Sequence, residues 1–227
     1  MARNTALLIT HGARLGTALT LLILSTNHPL LACFAGVLVY MAAFGFNHDI
    51  AHASLGLPRK LNDWALAAMS VPLLFPSHGM RLLHARHHTR PLADDDVEGA
   101  GACETFWGAL RIGPMNAARC RSEAFRAAQG RECTWVIFET LAAIAVATGV
   151  LATRNTAGTG WLLAAIAMQL TASVWASYLG HRLPEGARRV LQKLAWTRSA
   201  VLVSLAFHSE HHQHPKLPSG KLGPYAA

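Results

Sequence analysis

Long apolar runs alternate along this chain with short polar segments that are rich in histidine. The run from Ala6 to Ser25 is a marginal membrane span, because His11 and Arg14 interrupt it. Three other runs are apolar enough to cross a hydrocarbon core of about 30 Å: Leu30 to Phe46, Thr134 to Ala152 and Trp161 to Gly180. The pattern predicts an all-α integral membrane protein with four transmembrane helices.

The remaining apolar runs are too short to cross a membrane. Leu61 to Phe75 begins with polar side chains and contains Pro72, which predicts an interfacial or re-entrant helix. Pro91 to Cys133 is polar and basic, and we expect it to face water and to contain a surface helix over Ala117 to Ala128. We expect residues 1–227 to form one membrane-embedded domain, with the histidine-rich segments as a cytoplasmic cap.

Composition agrees with this prediction. Hydrophobic residues make up 52% of the chain and charged residues only 14%, whereas soluble domains carry roughly 25% charged residues. The net charge of +8 does not indicate nucleic-acid binding, because the basic residues lie between apolar runs. They concentrate between the second and third spans and after the fourth, whereas Arg154, in a short loop with Gly158 and Gly160, lies on the opposite side. The positive-inside rule therefore predicts cytoplasmic termini, and we expect a bacterial inner membrane protein.

Three short boxes contain most of the chemistry-bearing side chains. Each box lies at the end of an apolar segment, on the same predicted side of the membrane, and its histidines are spaced to share one face of a helix. Such clusters predict a metal site. The eight histidines are His48 and His52 in the first box, His84, His87 and His88 in the second, and His208, His211 and His212 in the third.

Eight imidazoles exceed what one first-row metal ion can bind. Two iron ions with open positions for dioxygen fit this number, whereas zinc is disfavoured because HExxH and paired cysteines are absent. We interpret His11 and His28 as polar anchors at the interface. His78 and His214 fall outside the box spacing and are left out, and Glu139 is a costly carboxylate in the third span.

The boxes HDIAH, HARHH and HSEHH, between His48 and Pro218, resemble those of the membrane fatty acid desaturase and hydroxylase superfamily. The resemblance implies a cytoplasmic non-haem di-iron centre, dioxygen as co-substrate, a separate electron donor such as ferredoxin or cytochrome, and a lipid substrate. It implies metal ligation by the eight box histidines and adds His181 at the end of the last span. No catalytic residue is assigned apart from this metal centre.

Acidic residues near the boxes complete the predicted site. The resemblance implies that Asp49 accepts a hydrogen bond from the second ring nitrogen of a ligand and fixes its tautomer. Glu210, within the third box, is a candidate for the same duty. We expect the acidic run from Asp94 to Asp96 to be solvated rather than to orient the second box.

Several functions stay open at this point. The same centre serves desaturation and hydroxylation of an acyl chain. HDxxHxSL and HxEHHxxPxxP are also similar to bacterial carotenoid ketolases and hydroxylases, although the paired tryptophans expected of the ketolases are absent after Pro218. A metal-handling membrane protein is a third class, but its ionisable ligands should lie near the middle of the spans.

Overall fold

The computed structural model describes residues 4–223, so the two ends of the expected domain lie outside the described residues. This part of the chain is all-α and contains no strand. The helices are α1 Thr5–Leu24, α2 Pro29–Ala51, α3 Arg59–Leu73, α4 Ser77–Thr89, α5 Phe106–Ala127, α6 Arg131–Thr153, α7 Thr156–Leu170, α8 Leu179–Arg182, α9 Glu185–Lys193, α10 Ala200–Ala206 and α11 His208–Gln213.

Three helices, α1, α2 and α6, are long and apolar enough to cross a membrane. The fourth predicted span is broken, because α7 and the segment Ser173–Arg182 meet at a bend of 51°. The protein has four candidate spans only if this bent pair is counted as one span. The second half begins with a π-helical turn over Ser173–Tyr178, which is a common cause of sharp kinks. The span predicted over Trp161 to Gly180 is therefore formed by two helical segments with a bend between them, and not by one continuous helix.

Contacts from outside the span stabilise this bend. The Cα atoms of Gly113 and Gly101 lie against the carbonyl oxygens of Leu170 and Ser173, where no side chain would fit. The hydroxyl of Ser177 accepts a hydrogen bond from the backbone N–H of Ala102 at 3.0 Å. Irregular backbone in a membrane protein is tolerated where protein buries it in this way.

The fold is centred on the contact between α2 and α7. A Cβ atom added to Gly160 would lie 2.6 Å from the Cβ of Ala32, and one added to Gly36 would lie 2.7 Å from the Cα of Trp161. The expected loop with Gly158 and Gly160 was wrong, since both glycines lie inside α7. The loop reduces to Arg154, in the left-handed region with φ 49°, and Asn155, whose side chain caps α7.

A buried hydrogen-bonded pair joins α4 to α6. Glu139 and His78 are both fully buried, and the two Glu139 oxygens lie 2.5 Å from His78 Nδ1 and 3.0 Å from its backbone nitrogen. The ring of His78 stacks on Trp135, with the ring centroids 4.9 Å apart. The costly carboxylate of the third span thus has a dedicated partner. The predicted surface helix is also longer than expected, because α5 begins at Phe106.

Candidate metal centre

Four helices bring the histidines together at one end of the bundle. α2 contributes the first box, α4 the second, α11 the third, and α8 contributes His181. The histidines form two groups; within each group every residue offers one ring nitrogen, and these nitrogens lie within 4.8 Å of one another. The first group is His48, His52, His84 and His211; the second is His87, His181, His208 and His212. Each group could hold a metal ion.

His88 belongs to neither group and lies between them. Its ring centroid is 4.7 Å from that of His52, in the first group, and 4.4 Å from that of His212, in the second. Its Nε2 is 3.2 Å from the Nε2 of His84, and its Nδ1 is buried without a hydrogen-bond partner among residues 4–223. The ninth predicted ligand is therefore within reach of both groups.

The nitrogen distances in the second group fit a shared cation better than hydrogen bonds. The Nε2 of His181 lies 3.2 Å from that of His87 and 3.2 Å from that of His208. The Nε2 of His208 in turn lies 3.1 Å from that of His212. One ring nitrogen of a neutral imidazole either donates or accepts, whereas metal ligands at about 2.1 Å and right angles to each other lie about 3.0 Å apart.

The first group has the same character. The Nε2 atoms of His48 and His211 are 3.0 Å apart. The Nε2 of His52 is buried and has no hydrogen-bond partner among the described residues. A buried polar atom without a partner is costly, and a metal ion bound to its lone pair would satisfy it. The residues of both groups therefore fit a metal.

Burial keeps His52, His208 and His212 neutral and ready to bind. Burial, reinforced by the neighbouring imidazoles, lowers the pKa of His52 to about 2, that of His208 to about 2 and that of His212 to about 4. A neutral imidazole has a free lone pair, which metal ligation requires. His87 differs: burial lowers its pKa, but the hydrogen bond to Asp96 and the charge of Glu98 outweigh it, and the net shift is upward.

Two carboxylates orient the second box. The Nδ1 of His87 donates to Asp96 at 2.6 Å, and the Nδ1 of His84 donates to Glu98 at 3.0 Å. Asp96 is held in place by the backbone N–H groups of Leu92 and Gly99. With Nδ1 donating, Nε2 of each ring presents its lone pair. The expectation of a solvated acidic run was therefore wrong for Asp96, because the loop folds back under α4.

Asp49 reaches the first box through Ser219. Its carboxylate accepts from the hydroxyl of Ser219 at 2.7 Å, and that hydroxyl is 3.2 Å from the Nδ1 of His48, whereas the direct distance from Asp49 to His48 is 3.5 Å. The other Asp49 oxygen is 3.0 Å from the Nε2 of His11. His11 is buried and stacks on Phe46, so its interpretation as an interface anchor was wrong. The sequence contained one indication of the contacts of Asp49 with Ser219 and His11: a carboxylate next to the first box needs hydrogen-bond partners if it is buried.

Glu210 does not contact a ring nitrogen in the described structure. Its two oxygens accept a hydrogen bond from the backbone N–H of Gly223, at 3.0 and 3.2 Å. It therefore ties α11 to the tail that follows it. Among residues 4–223, Glu210 therefore does not accept the hydrogen bond from a ligand's ring nitrogen for which it was a candidate, because its carboxylate is taken up by the tail.

A cavity of about 70 Å³ adjoins the histidines. Its walls include Phe44, Trp175, Ala200 and Leu205 together with histidines of both groups. An apolar cavity beside a polar cluster is typical of a small-molecule site. The sequence offered no reason to separate Trp175 from packing residues, because its role depends on the bend after α7.

Comparisons with known proteins agree with this arrangement. A family model described as fatty acid desaturase matches residues 25–227. The chain is similar to an sn-1 acyl-lipid omega-3 desaturase (ferredoxin) from Synechocystis sp., with 33% identity over 61 residues, which is 27% of this chain and 17% of that protein. No solved structure matches. Since the family match covers most of the sequence, including all three histidine boxes, the chain belongs to the fatty acid desaturase family.

Proposed function

We propose that the two histidine groups bind two iron ions and that the protein desaturates a fatty acyl chain. The observation that carries this proposal is the pair of groups of four imidazoles each, with His88 between them. Nitrogen ligands of this kind suit iron, zinc, copper and nickel. Structural zinc is usually satisfied by four ligands in one isolated site, so two adjacent groups favour a pair of redox-active ions.

Such a centre, when loaded, supplies oxidation of an unactivated C–H bond by dioxygen with two electrons from a donor. In desaturation, adjacent carbons of the chain lose one hydrogen each and a double bond forms between them. The two hydrogens, one dioxygen, two electrons and two protons together give two waters. The relative from Synechocystis carries ferredoxin in its name, and we propose a donor of the ferredoxin or cytochrome class. Hydroxylation, with one oxygen retained in the product, is the alternative outcome at the same centre.

The protein's own residues position the reaction. Asp96 and Glu98 hold His87 and His84 with Nε2 directed inward. The apolar wall at Phe44 and Trp175 orients a hydrocarbon chain and excludes water from the histidines. We infer that the substrate reaches this cavity from the bilayer along the groove that adjoins it at Gly45, between α1, α2 and α10.

A metal-handling membrane protein is the competing class. Its ligands should lie near the middle of the spans, whereas the histidine groups lie at the ends of helices α2, α4 and α8 and in the short helix α11. A carotenoid hydroxylase or ketolase is the competing enzyme, and only the product distinguishes it from a desaturase.

The test combines metal content with product analysis. The purified protein should carry two iron ions per chain without haem, and cells producing it should contain acyl chains that have lost two hydrogens. His212→Ala should lower the iron content and abolish the product. His214→Ala is the matched control, because His214 is exposed and belongs to neither group. Zinc in place of iron, or equal loss in both variants, would contradict the proposal, and oxygen added to a carotenoid would move it to the competing enzyme.

A further inference from the structure

The cavity beside the metal centre adjoins a second one, which we call the distal chamber. The two cavities share Phe44, Glu98, Trp175 and Ala176 as walls, and Phe44 and Trp175 meet edge to face with ring centroids 4.8 Å apart. The distal chamber measures about 90 Å³. Its lining includes the apolar Phe75 and Met80 and the polar Tyr40, Asn116, Arg121 and Gln169. A hydrocarbon chain that passed the histidines would enter this chamber next.

Two of these polar side chains are buried with unused hydrogen-bonding atoms. Tyr40 is 2% exposed, and its hydroxyl makes no hydrogen bond within residues 4–223. Asn116 is 6% exposed; its Nδ2 donates to the carbonyl of Val97 at 2.9 Å, and its Oδ1 has no partner in the described part of the chain. Buried polar atoms are nearly always paired, so the buried Asn116 oxygen, together with the unpaired Tyr40 hydroxyl in the lining of the same chamber, indicates a ligand with matching groups.

Arg121 adds a cation to the same wall. Its guanidinium donates to the carbonyl of Leu74 at 3.1 Å, to the carbonyl of Ala117 at 3.4 Å and to the side-chain oxygen of Gln169. Arg121 forms no ion pair with a carboxylate among residues 4–223. A guanidinium has five N–H donors, so donors remain for a ligand in the chamber.

We propose that the distal chamber binds a hydroxyl group on the leading end of the lipid substrate. A hydroxyl accepts hydrogen bonds from Arg121 and Tyr40 and donates one to the Oδ1 of Asn116, so it satisfies all three. A carboxylate only accepts and would leave the Asn116 oxygen unpaired. A methyl end would leave the Tyr40 hydroxyl and the Asn116 oxygen unpaired, which costs free energy in an apolar chamber.

This inference rests on the proposed function, because it takes the substrate past the metal centre. It specifies the substrate class as an elongated lipid whose far end already carries a hydroxyl when it arrives. Binding of the hydroxyl in the chamber also fixes how far the substrate is inserted. The distance from the hydroxyl then determines which carbon of the substrate lies beside the histidines. A hydroxylated acyl chain and a hydroxylated isoprenoid share this chemistry.

The test measures binding to the purified protein in lipid nanodiscs. Three probes differ only at one end: octadecane, 1-octadecanol and octadecanoate. Binding is followed by the fluorescence of the protein's tryptophans, because Trp175 forms part of both cavities. We expect the alcohol to bind at least tenfold more tightly than the alkane and the carboxylate, with the iron content of each sample measured separately.

Tyr40→Phe removes only the chamber hydroxyl and should reduce the preference for the alcohol by about fivefold, the value of one hydrogen bond. Tyr178→Phe is the matched control, since Tyr178 contacts Phe106 and lines neither the distal chamber nor the cavity beside the histidines. Equal binding of alcohol and alkane would overturn the proposal, as would a preference for the carboxylate or an unchanged preference in Tyr40→Phe.

A second pair of probes identifies the source of the hydroxyl. β-Carotene and its 3,3′-dihydroxy derivative form the isoprenoid pair, and a methyl ester of a C18 acid with and without a terminal hydroxyl forms the acyl pair. Discrimination within either pair supports the proposal and names the class; discrimination in neither overturns it. Binding is measured without turnover, so the two proposals can fail separately. A protein that binds the alcohol but lacks iron would refute the proposed function and would still support the proposal for the distal chamber.

Discussion

Asp96 is the residue that couples the acidic loop to the metal centre. One of its oxygens accepts from both the Nδ1 of His87 and the backbone of Leu92, and the other accepts from the backbone of Gly99. Burial opposes the charge of Asp96, but the hydrogen bonds outweigh it, so that its pKa lies below the usual value. The carboxylate is therefore a charged acceptor that fixes the tautomer of a ligand candidate.

Replacing this carboxylate tests its role directly. In Asp96→Asn only one oxygen can still accept, so either His87 or Gly99 loses its partner. We expect the iron affinity to fall about 10–100-fold, the usual effect of removing such a partner. Iron titration monitored by bound metal per chain measures it. Asp94→Asn is the control, because Asp94 is exposed in the same loop; an equal loss in both variants would contradict the prediction.

At the scale of elements, the contact between α2 and α7 depends on glycine. Gly→Ala in a helix normally stabilises by about 1 kcal/mol. At Gly160 the added methyl would meet the backbone of Ala32 at 2.7 Å, so we expect Gly160→Ala to destabilise by about 1–3 kcal/mol instead. Gly149→Ala, where nothing lies within 4 Å, should stabilise or be neutral. Thermal unfolding in detergent compares them, and equal shifts would refute the close contact.

The hydrogen-bonded pair between α4 and α6, His78 and Glu139, makes a second prediction at this scale. Glu139→Leu removes the acceptor of both the ring Nδ1 and the backbone N–H of His78. We expect a loss of about 3–5 kcal/mol, as for other buried pairs that lose one partner. Glu139→Gln keeps one acceptor oxygen and should lose less. Denaturation midpoints of the two variants measure the difference; a Leu variant as stable as the Gln variant would show that the pair contributes nothing.

For the whole molecule, topology is the testable property. If α7 and the bent segment after it cross the membrane together, the chain has four spans, and both termini lie on the cytoplasmic side with the histidine groups. Green fluorescent protein fused to either end should then fluoresce, and alkaline phosphatase inserted at Arg154, between α6 and α7, should be active. An inactive phosphatase would mean that the bent segment is re-entrant or that the orientation is reversed.

The sequence alone predicted the apolar helices and most of the metal-binding candidates. Both depend on local patterns: a run of apolar residues is a span because of its length, and histidines spaced three or four apart share a helical face whatever the rest of the chain does. The family resemblance rested on the same local boxes. The resemblance also added His181, which lies at the end of a predicted span.

Only the tertiary structure decided how these pieces combine. The division of the histidines into two groups, the bend after α7, the pairing of Glu139 with His78 and the relay from Asp49 through Ser219 all join residues far apart in sequence. The polar end of the distal chamber is of the same kind, since Tyr40 and Asn116 come from different helices. Such contacts depend on how helices pack, and a local pattern of hydrophobic and polar residues carries no information about which distant partner a buried polar group will find.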